Sequence, residues 1–263
     1  MKRQILITLI LVLFSTSCAP SQQDIEETAQ ASVAGTQKTI PTEIRLQPES
    51  CDSDEDVIAN EHCYKICSDL HLYKKGIESE KPNITILENA NFKERTLYIG
   101  DIFDLKNAVQ HTKTNRKDEC SELVRKDIDE LSNILGGNYL RGNHELDACK
   151  NCPIYKVIND VLFTHGHYLC WPEDVIKDWE SGNDRPVKPG CDNYKECISD
   201  CIKGAVEYAE GNSDINTIVF GHTHPYKTDL IRVEIERKKE GNTVKDFITI
   251  INVTKGCTYI EFP

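Results

Sequence analysis

The sequence lacks three features, and each absence excludes a class of protein. It has no excess of basic residues, since 31 Lys and Arg stand against 43 Asp and Glu and give a formal net charge of -12. Polyanionic nucleic acid is therefore a poor candidate for a partner. No internal repeat is visible, which argues against a repeat array. The longest apolar run, from Ile5 to Phe14, falls short of the roughly 20 residues that a membrane-spanning helix needs.

The first eighteen residues have the pattern of an export leader. Lys2 and Arg3 precede the apolar run, and three small residues then lead to Cys18. The pattern resembles a bacterial lipobox, although Ser15 stands where an aliphatic residue is usual. We therefore predict that residues 1–17 are a lipoprotein signal peptide and that Cys18 carries lipid, which anchors an extracytoplasmic protein to a bacterial membrane. Ordinary signal cleavage, with Cys18 as an incidental residue, is the alternative.

Cysteine is abundant, with 12 residues, and export would place these residues where disulfides form. We expect at least two disulfides among the eleven cysteines that remain after Cys18. Because that number is odd, at least one of them should stay unpaired. Cys63 and Cys67 lie in an apolar segment, where a free cysteine behaves as a small apolar residue, so we expect them to be inert thiols.

Cys149 and Cys152 have the spacing of half a zinc site. The best second half, Cys197 and Cys201, is predicted to lie one turn apart on a helix, which does not suit a zinc knuckle. We therefore favour a disulfide or inert thiols over structural zinc.

The composition of the chain predicts three regions, of which the leader at residues 1–17 is the first. Residues 18–56 are rich in Gln, Glu, Ser, Thr and Asp, which predicts a flexible tether between the lipid and a folded domain. Residues 57–263 are about 200 in number, enough for one sizeable domain.

Within that domain, short apolar runs that each end in a polar cluster predict strands at 62–67, 96–99, 138–140, 161–164 and 217–220. Apolar residues at helical spacing predict helices over 117–135 and 194–209. A hairpin is expected from 230–236 and 246–253, followed by a last strand at 258–262. Strands that alternate with helices early and pair antiparallel late predict an α/β layered domain with a mixed sheet.

The polar clusters carry the candidate chemistry, and six of the eight histidines lie in them. Divalent metals take neutral imidazole and ionised carboxylate as ligands, and strand ends can aim such side chains into one crevice. One cluster alone is weak evidence, but five in series are not. The clusters are Ser68-Asp69-Leu70-His71, Gly100-Asp101-Ile102-Phe103-Asp104, Gly142-Asn143-His144-Glu145, Thr164-His165-Gly166-His167 and Gly221-His222-Thr223-His224.

The order of these clusters resembles the calcineurin-like metallophosphoesterase superfamily, whose pattern is Asp-x-His, Gly-Asp-x-x-Asp, Gly-Asn-His-(Glu or Asp), His and Gly-His-x-His. Every position is filled, and the resemblance runs from about residue 62 to the C-terminus. It implies an α/β fold, a layered α/β/β/α sandwich with two mixed sheets. It also implies a hydrolase of phosphate esters that uses a hydroxide shared between two metal ions.

The resemblance implies a role for each ligand. Two divalent cations, with Mn, Fe or Zn the expected ions, would share one bridging carboxylate, which can hold them at the roughly 3.5 to 4 Å spacing of two-metal sites. The bridge would be Asp101, the ligands of one metal would be Asp69, His71 and His224, and those of the other would be Asn143, His165 and His222.

His144 would be the catalytic general acid or charge stabiliser, because its side chain should diverge from that of the ligand Asn143. Asp104 resembles the residue that orients this imidazole, with a helix N-terminal cap as the alternative. Glu145 is expected to be a supporting or solvated carboxylate.

A cap-like insertion is expected at about 168–215. This segment begins beside one predicted ligand and ends beside another, so it should lie near the mouth of the active site. We predict substrate contacts at His167, Trp171 and Arg185, with Tyr168 a further candidate. The expected partner is a small phosphomonoester or phosphodiester. A metal-binding surface lipoprotein without turnover and a nuclease of the same superfamily are the alternatives, and the acidic balance disfavours the nuclease.

Overall fold

The computed structural model describes residues 44–46, 50–72, 89–104, 117–145, 149, 151–180, 194–239 and 241–262. The predicted leader, Cys18, most of the predicted tether and Arg185 lie outside these ranges, so the assignments made for them stay predictions. The described residues form ten strands, six α-helices and one turn of 3-10 helix. In chain order these elements are β1 (Arg45–Leu46), α1 (Asp54–Ala59), β2 (Cys63–Ser68), α2 (Ala90–Glu94), β3 (Thr96–Ile99), α3 (Lys117–Leu135), the 3-10 turn (Gly136–Asn138), β4 (Tyr139–Leu140), β5 (Tyr155–Ile158), β6 (Val161–Thr164), α4 (His167–Cys170), α5 (Glu173–Glu180), α6 (Tyr194–Gly211), β7 (Thr217–Phe220), β8 (Asp229–Lys239), β9 (Asn242–Asn252) and β10 (Gly256–Glu261).

The strands form two mixed sheets. The first has the order β1-β10-β2-β3-β4, in which β2, β3 and β4 are parallel and β10 and β1 are added antiparallel. The second has the order β5-β6-β7-β9-β8, in which β6, β7 and β9 are parallel and an antiparallel strand forms each edge. Each sheet therefore has a parallel centre, and the carboxyl ends of its parallel strands lie at one edge.

Three separate apolar cores define the layers. The core between the two sheets includes Ile66 and Val219. A second core, which includes Phe92, packs α1, α2 and α3 against the outer face of the first sheet. A third, which includes Ala205 and Ile250, packs α4 and α6 against the outer face of the second sheet. The predicted α/β fold, with four layers and two mixed sheets, is confirmed.

The two long helices follow from their apolar periodicity. In α3 the buried residues Ile128, Leu131 and Leu135 recur every three or four positions, and Gly136 follows at a φ of 57°. This left-handed conformation favours glycine at a helix end. The matching buried stripe of α6 consists of Ile198, Cys201, Ala205 and Ala209.

The central strands β3, β6 and β7 are buried at every residue, because helices cover one face of the sheet and the other sheet covers the opposite face. Continuous apolar runs therefore predicted them. The edge strand β5 was not predicted, since its residues alternate between exposed and partly buried. Its four residues carry too weak a pattern to be read alone. The two short helices α1 and α2 were missed for the same reason.

The folded domain begins before the predicted boundary at residue 57. β1 pairs with β10, Cys51 is fully buried, and α1 begins at Asp54 behind a Ser53 capping box. The acidic residues taken as part of a tether stabilise the N-terminus of this helix, where negative charge is favourable. The predicted tether therefore ends at least as early as residue 44. In the described parts of the chain no helix is long and apolar enough to cross a membrane.

The predicted insertion at 168–215 is only partly a cap. Its last helix, α6, packs on the outer face of the second sheet and belongs to the helical layer. Gly204 of α6 meets the backbone of Leu169 in α4, where a Cβ atom would collide with the Leu169 carbonyl. Among the described residues of the insertion, Trp171 at the end of α4 lies beside the polar strand ends.

The structure brings four pairs of described cysteines to disulfide-bonding distance, in line with the expectation of two or more. The expectation that Cys63 and Cys67 are inert free thiols is wrong, because the partner of Cys63 lies in the supposed tether and the partner of Cys67 lies 190 residues away. Cys197 is disulfide-bonded as well, so the described residues offer no second ligand pair for a zinc site. The four pairs are Cys51–Cys63, Cys67–Cys257, Cys149–Cys152 and Cys170–Cys201.

The Cys67–Cys257 disulfide should stabilise the domain most. It joins directly opposed residues of β2 and β10 and closes a loop of 190 residues, whereas Cys149–Cys152 spans three. A Cys67→Ala/Cys257→Ala variant should lower the free energy of unfolding by about 3–5 kcal/mol, and a Cys149→Ala/Cys152→Ala control by about 2 kcal/mol or less. Urea unfolding without reductant measures both. An equal loss in the two variants would contradict the assignment.

Candidate metal centre

Polar side chains from both sheets meet at one edge of the sandwich. Asp69 directly follows β2, and Asp101 follows β3 after one glycine. Asn143 comes shortly after β4, His165 directly follows β6, and His222 follows β7 after one glycine. The carboxyl ends of the parallel strands in each sheet therefore deliver the predicted ligands to a common place.

Three of the predicted ligands form a first group. The ligand atoms of Asp69, His71 and His224 all lie within 4.8 Å of one another. The Nε2 atom of His224 lies 2.9 Å from Asp69 Oδ1 and 3.3 Å from His71 Nε2. Two imidazole nitrogens and one carboxylate oxygen thus converge, which is a donor set for a divalent metal.

A second group forms around His165. Its Nε2 atom lies 3.1 Å from Asp101 Oδ2, 3.2 Å from His222 Nδ1 and 3.0 Å from the Asn143 side-chain oxygen. His165 Nδ1 lies 3.1 Å from the carbonyl of Ile99, and a proton there would be donated to that oxygen. This contact leaves Nε2 as the atom that can bind a metal.

Asp101 lies between the two groups. It belongs to the group with His165 and His222, and its carboxylate also converges with His71 and His144 within 4.8 Å. The structure therefore brings all seven predicted ligands together and places the predicted bridging carboxylate in the middle. The mixture of imidazole, carboxylate and amide donors fits Mn, Fe or Zn.

The two central carboxylates are buried and hydrogen-bonded. Asp69 Oδ2 accepts from the Ser68 hydroxyl at 2.5 Å and from the His222 N–H at 2.9 Å, while Asp101 Oδ1 accepts from the His144 N–H at 2.8 Å. Burial by itself would raise the pKa of each carboxyl group, but nearby imidazoles, His165 foremost, hold both pKa values below the usual range. The site is thus built to keep both groups ionised.

The backbone is strained at most of the candidate ligands. Non-glycine residues rarely adopt a positive φ, and each such residue costs on the order of 1–3 kcal/mol unless packing imposes it. This strain marks the site as one where position is maintained against local preference. The ligands concerned are Asp69 (φ 54°), His71 (50°), Asp101 (52°), His222 (72°) and His224 (50°).

Two glycines in the motifs are required by close approach. A Cβ atom on Gly142 would collide with the Asp101 carboxylate and backbone nitrogen, and one on Gly221 would collide with the Ser68 hydroxyl and the Asp69 carboxylate. The loops therefore pass over the carboxylates at a distance that any larger residue would prevent.

The side chain of His144 diverges from the neighbouring Asn143 and is 29% exposed. Its Nδ1 atom lies 3.2 Å from Asp104 Oδ1, and its Nε2 atom lies 3.8 Å from Asp101 Oδ2. The other oxygen of Asp104 lies 3.5 Å from His71 Nδ1. Burial lowers the pKa of His144, but the hydrogen bond to Asp104 and the charge of Asp101 outweigh burial and raise it. A raised pKa favours the protonated imidazole, which a general acid requires.

The residues predicted to contact the substrate differ in their exposure. The Trp171 ring is partly exposed and lies edge-on to His222, with centroids 5.5 Å apart. His167 is fully buried, with its ring 5.4 Å from that of His165 and 6.2 Å from that of His222. Burial and the neighbouring positive charges hold the pKa of His167 well below its usual range. His167 is therefore a buried neighbour of two candidate ligands, and its contact with the substrate stays a prediction.

Two residues were missed or undervalued in the sequence. Arg141, which stands between β4 and Gly142 in the sequence, is buried. Its Nη2 donates to the Tyr168 hydroxyl at 2.7 Å. A cation at the end of an apolar strand and inside a metal motif was the signal for it. Glu145 is fully buried, so the alternative of a solvated carboxylate is wrong.

Comparison with known proteins agrees with this geometry. The family model described as calcineurin-like phosphoesterase matches residues 64–226, a span that contains all seven candidate ligands. No curated protein and no solved structure matches the chain.

Metal binding should release a proton from His165. Burial lowers the pKa of His165, but the Asp101 and Asp69 carboxylates raise it to about 9 in the metal-free protein. A metal needs neutral imidazole, so binding at pH 7 should release about one proton, and affinity should rise with pH up to about 9. Titration calorimetry at pH 7 in buffers of different ionisation enthalpy measures this number. A His62→Gln control alters an exposed histidine and should leave it unchanged. Zero proton release would contradict the assignment.

Proposed function

The chain belongs to the calcineurin-like phosphoesterase family, since the family model matches more than half of it, and we propose that it hydrolyses small phosphate esters with the help of two divalent cations. The observation that carries the proposal is the convergence of two ligand groups on Asp101. Asp69, His71 and His224 would hold one cation, and Asn143, His165 and His222 the other. When bound, the cations would activate water as a nucleophile at neutral pH and neutralise charge on the phosphoryl oxygens.

The protein's own residues supply the remaining steps. Asp101 keeps the two ligand groups adjacent, so that one phosphoryl group can reach both. His144 lies at the edge of the group and is partly exposed, and its raised pKa favours the protonated imidazole, so it would protonate the leaving oxygen. Asp104 touches Nδ1 of His144 and turns Nε2 toward the site. It is a positioning residue for that proton transfer.

The surroundings of the site favour a small phosphomonoester or phosphodiester as substrate. Arg141 brings a permanent positive charge to the side of the second ligand group, where it affects the pKa of His167. Trp171 adds a partly exposed aromatic surface beside His222. The net charge of -12 disfavours a nuclease, because a nucleic-acid groove is basic.

A protein that binds metal without turnover is the second candidate, and one assay separates the two. Metal-stripped and Mn-reconstituted protein would be tested on an aryl phosphate, an aryl phosphodiester and an alkyl phosphate. Hydrolysis that requires the metal supports the proposal, and bound metal without hydrolysis of any ester contradicts it.

Asp101→Asn removes the shared charge, so that both metal content and activity should fall.

His144→Gln should behave differently from Asp101→Asn. If His144 transfers a proton and binds no metal, the variant keeps both cations and loses about 10²- to 10⁴-fold in turnover. The loss should be larger for an alkyl ester than for a nitrophenyl ester, because nitrophenolate needs little protonation to depart. Elemental analysis and rates on both esters measure this. Loss of a metal, or equal slowing of both esters, would show that His144 is a ligand or a static charge stabiliser.

We also propose that the protein is exported and anchored by lipid on Cys18. The leader pattern of residues 1–17 supports this, and so do the disulfide pairs of the domain, which persist in oxidising compartments. Cys18→Ser should move the protein from the membrane to the soluble extracytoplasmic fraction on cell fractionation. Unchanged membrane association would argue against lipidation.

A further inference from the structure

Glu145 is a carboxyl side chain with no exposed surface, and it accepts four hydrogen bonds. Its Oε1 atom accepts the N–H groups of Ile102 at 2.7 Å and Phe103 at 2.9 Å and the hydroxyl of Tyr139 at 2.7 Å. Its Oε2 atom accepts the N–H of Gly142 at 2.9 Å. One buried carboxylate thus satisfies four donors from two separate stretches of chain.

These bonds join the loop that carries the shared carboxylate to the loop that carries a ligand of the second group. Ile102 directly follows Asp101, the shared carboxylate, and Gly142 directly precedes Asn143, a ligand of the second group. The two loops lie about 40 residues apart in sequence. A further direct link between them is the bond from the His144 N–H to Asp101.

We infer that Glu145 is a positioning residue, which holds the Asp101 loop and the Asn143 loop at the separation that lets Asp101 be shared between the two ligand groups. This inference rests on the proposed two-metal function. The collision that a Cβ atom on Gly142 would make with Asp101 shows how narrow that separation is. A small displacement of either loop would leave Asp101 in contact with a single ligand group. It would also move Asn143 away from His165 and His222.

The chemistry of the four donors requires a carboxylate. A glutamine in the same place would present an NH₂ group to Gly142 N–H or to the three donors around Oε1, so donors would face donors in either orientation. Buried donors left without an acceptor carry their full desolvation cost. Glutamine has nearly the same size and shape as glutamate. Because it leaves buried donors unpaired, the Glu145→Gln variant should push the two loops apart.

The experiment loads the full-length protein with Mn²⁺ and measures metal affinity and the electron paramagnetic resonance spectrum. Two Mn²⁺ ions that share a carboxylate give a spin-coupled spectrum, whereas an isolated ion gives six lines. For Glu145→Gln we expect the first ion to bind within about threefold of its normal affinity and the second at least tenfold more weakly, with loss of the coupled spectrum. In the metal-free protein, the amide signals of Ile102 and Gly142 should shift in nitrogen-15 spectra.

Two control variants separate positioning from general destabilisation. Ile128→Val makes a small cavity in the same core but removes none of the four hydrogen bonds of Glu145, so it should keep the coupled spectrum while lowering the melting temperature. Tyr139→Phe removes one of the four bonds and should weaken the second ion in the same direction as Glu145→Gln, but less. It tests the inference even if Glu145→Gln does not fold.

Two outcomes of the variant experiments would overturn the inference. One is a Glu145→Gln protein that binds both ions normally with an unchanged coupled spectrum. The other is an Ile128→Val protein that loses the second ion as well. Because the readout needs bound metal and no turnover, failure of wild-type protein to cleave any ester would refute the proposed activity alone. Wild-type protein that binds a single Mn²⁺ would overturn the inference through its premise.

Discussion

The carboxylate of Asp101 is held out of water at the edge where the two sheets meet, and the surrounding structure is organised to make that charge tolerable. A buried carboxylate without partners is costly, so each of its oxygens needs a donor or a cation. Oδ1 takes the N–H of His144, and Oδ2 faces the imidazole of His165. Gly142 passes so close that no side chain fits. The same requirement explains the donors around Asp69 and, one step removed, those around Glu145.

The two sheets supply this arrangement because each contributes strand ends that the other lacks. The first sheet carries Asp69, Asp101 and Asn143, and the second carries His165 and His222. The apolar core between the sheets sets their distance, and disulfides act behind the site, since one pair joins β2 to β10 and another joins α4 to α6. A rigid scaffold of this kind can keep ligands at positive φ, because the packing imposes a conformation that the isolated loop would not adopt.

The candidate ligands and the residues proposed to contact the substrate come from different parts of the chain. The candidate ligands lie at the ends of buried strands, where small displacements would separate the two groups. Other residues lie beside the candidate ligands. They are Arg141, at the end of β4, and Tyr168 and Trp171, at the start of the segment after β6. That segment is fastened to the outer helical layer through Cys170 and Cys201. Tyr168 and Trp171 are therefore linked to the outer layer of the second sheet, whereas Arg141 follows a strand of the first sheet.

The sequence by itself determined the strands that are buried on both faces, the two long helices and the identity of the ligand candidates, because apolar periodicity and the residues that follow a strand are local properties of the chain. Asp69 and His222 were singled out in this way as members of polar clusters at strand ends, and their roles as ligands came from the resemblance to the family. Only the tertiary structure decided which cysteines pair, that the domain begins before residue 57, that α6 belongs to a layer and not to a lid, and that Glu145 is buried. The pairing of Cys67 with Cys257 depends on the register of β2 against β10, and the bonds of Glu145 depend on a loop 43 residues away. Such contacts are set by how sheets and layers pack, and no local pattern in the sequence encodes the distance between residues so far apart in the chain.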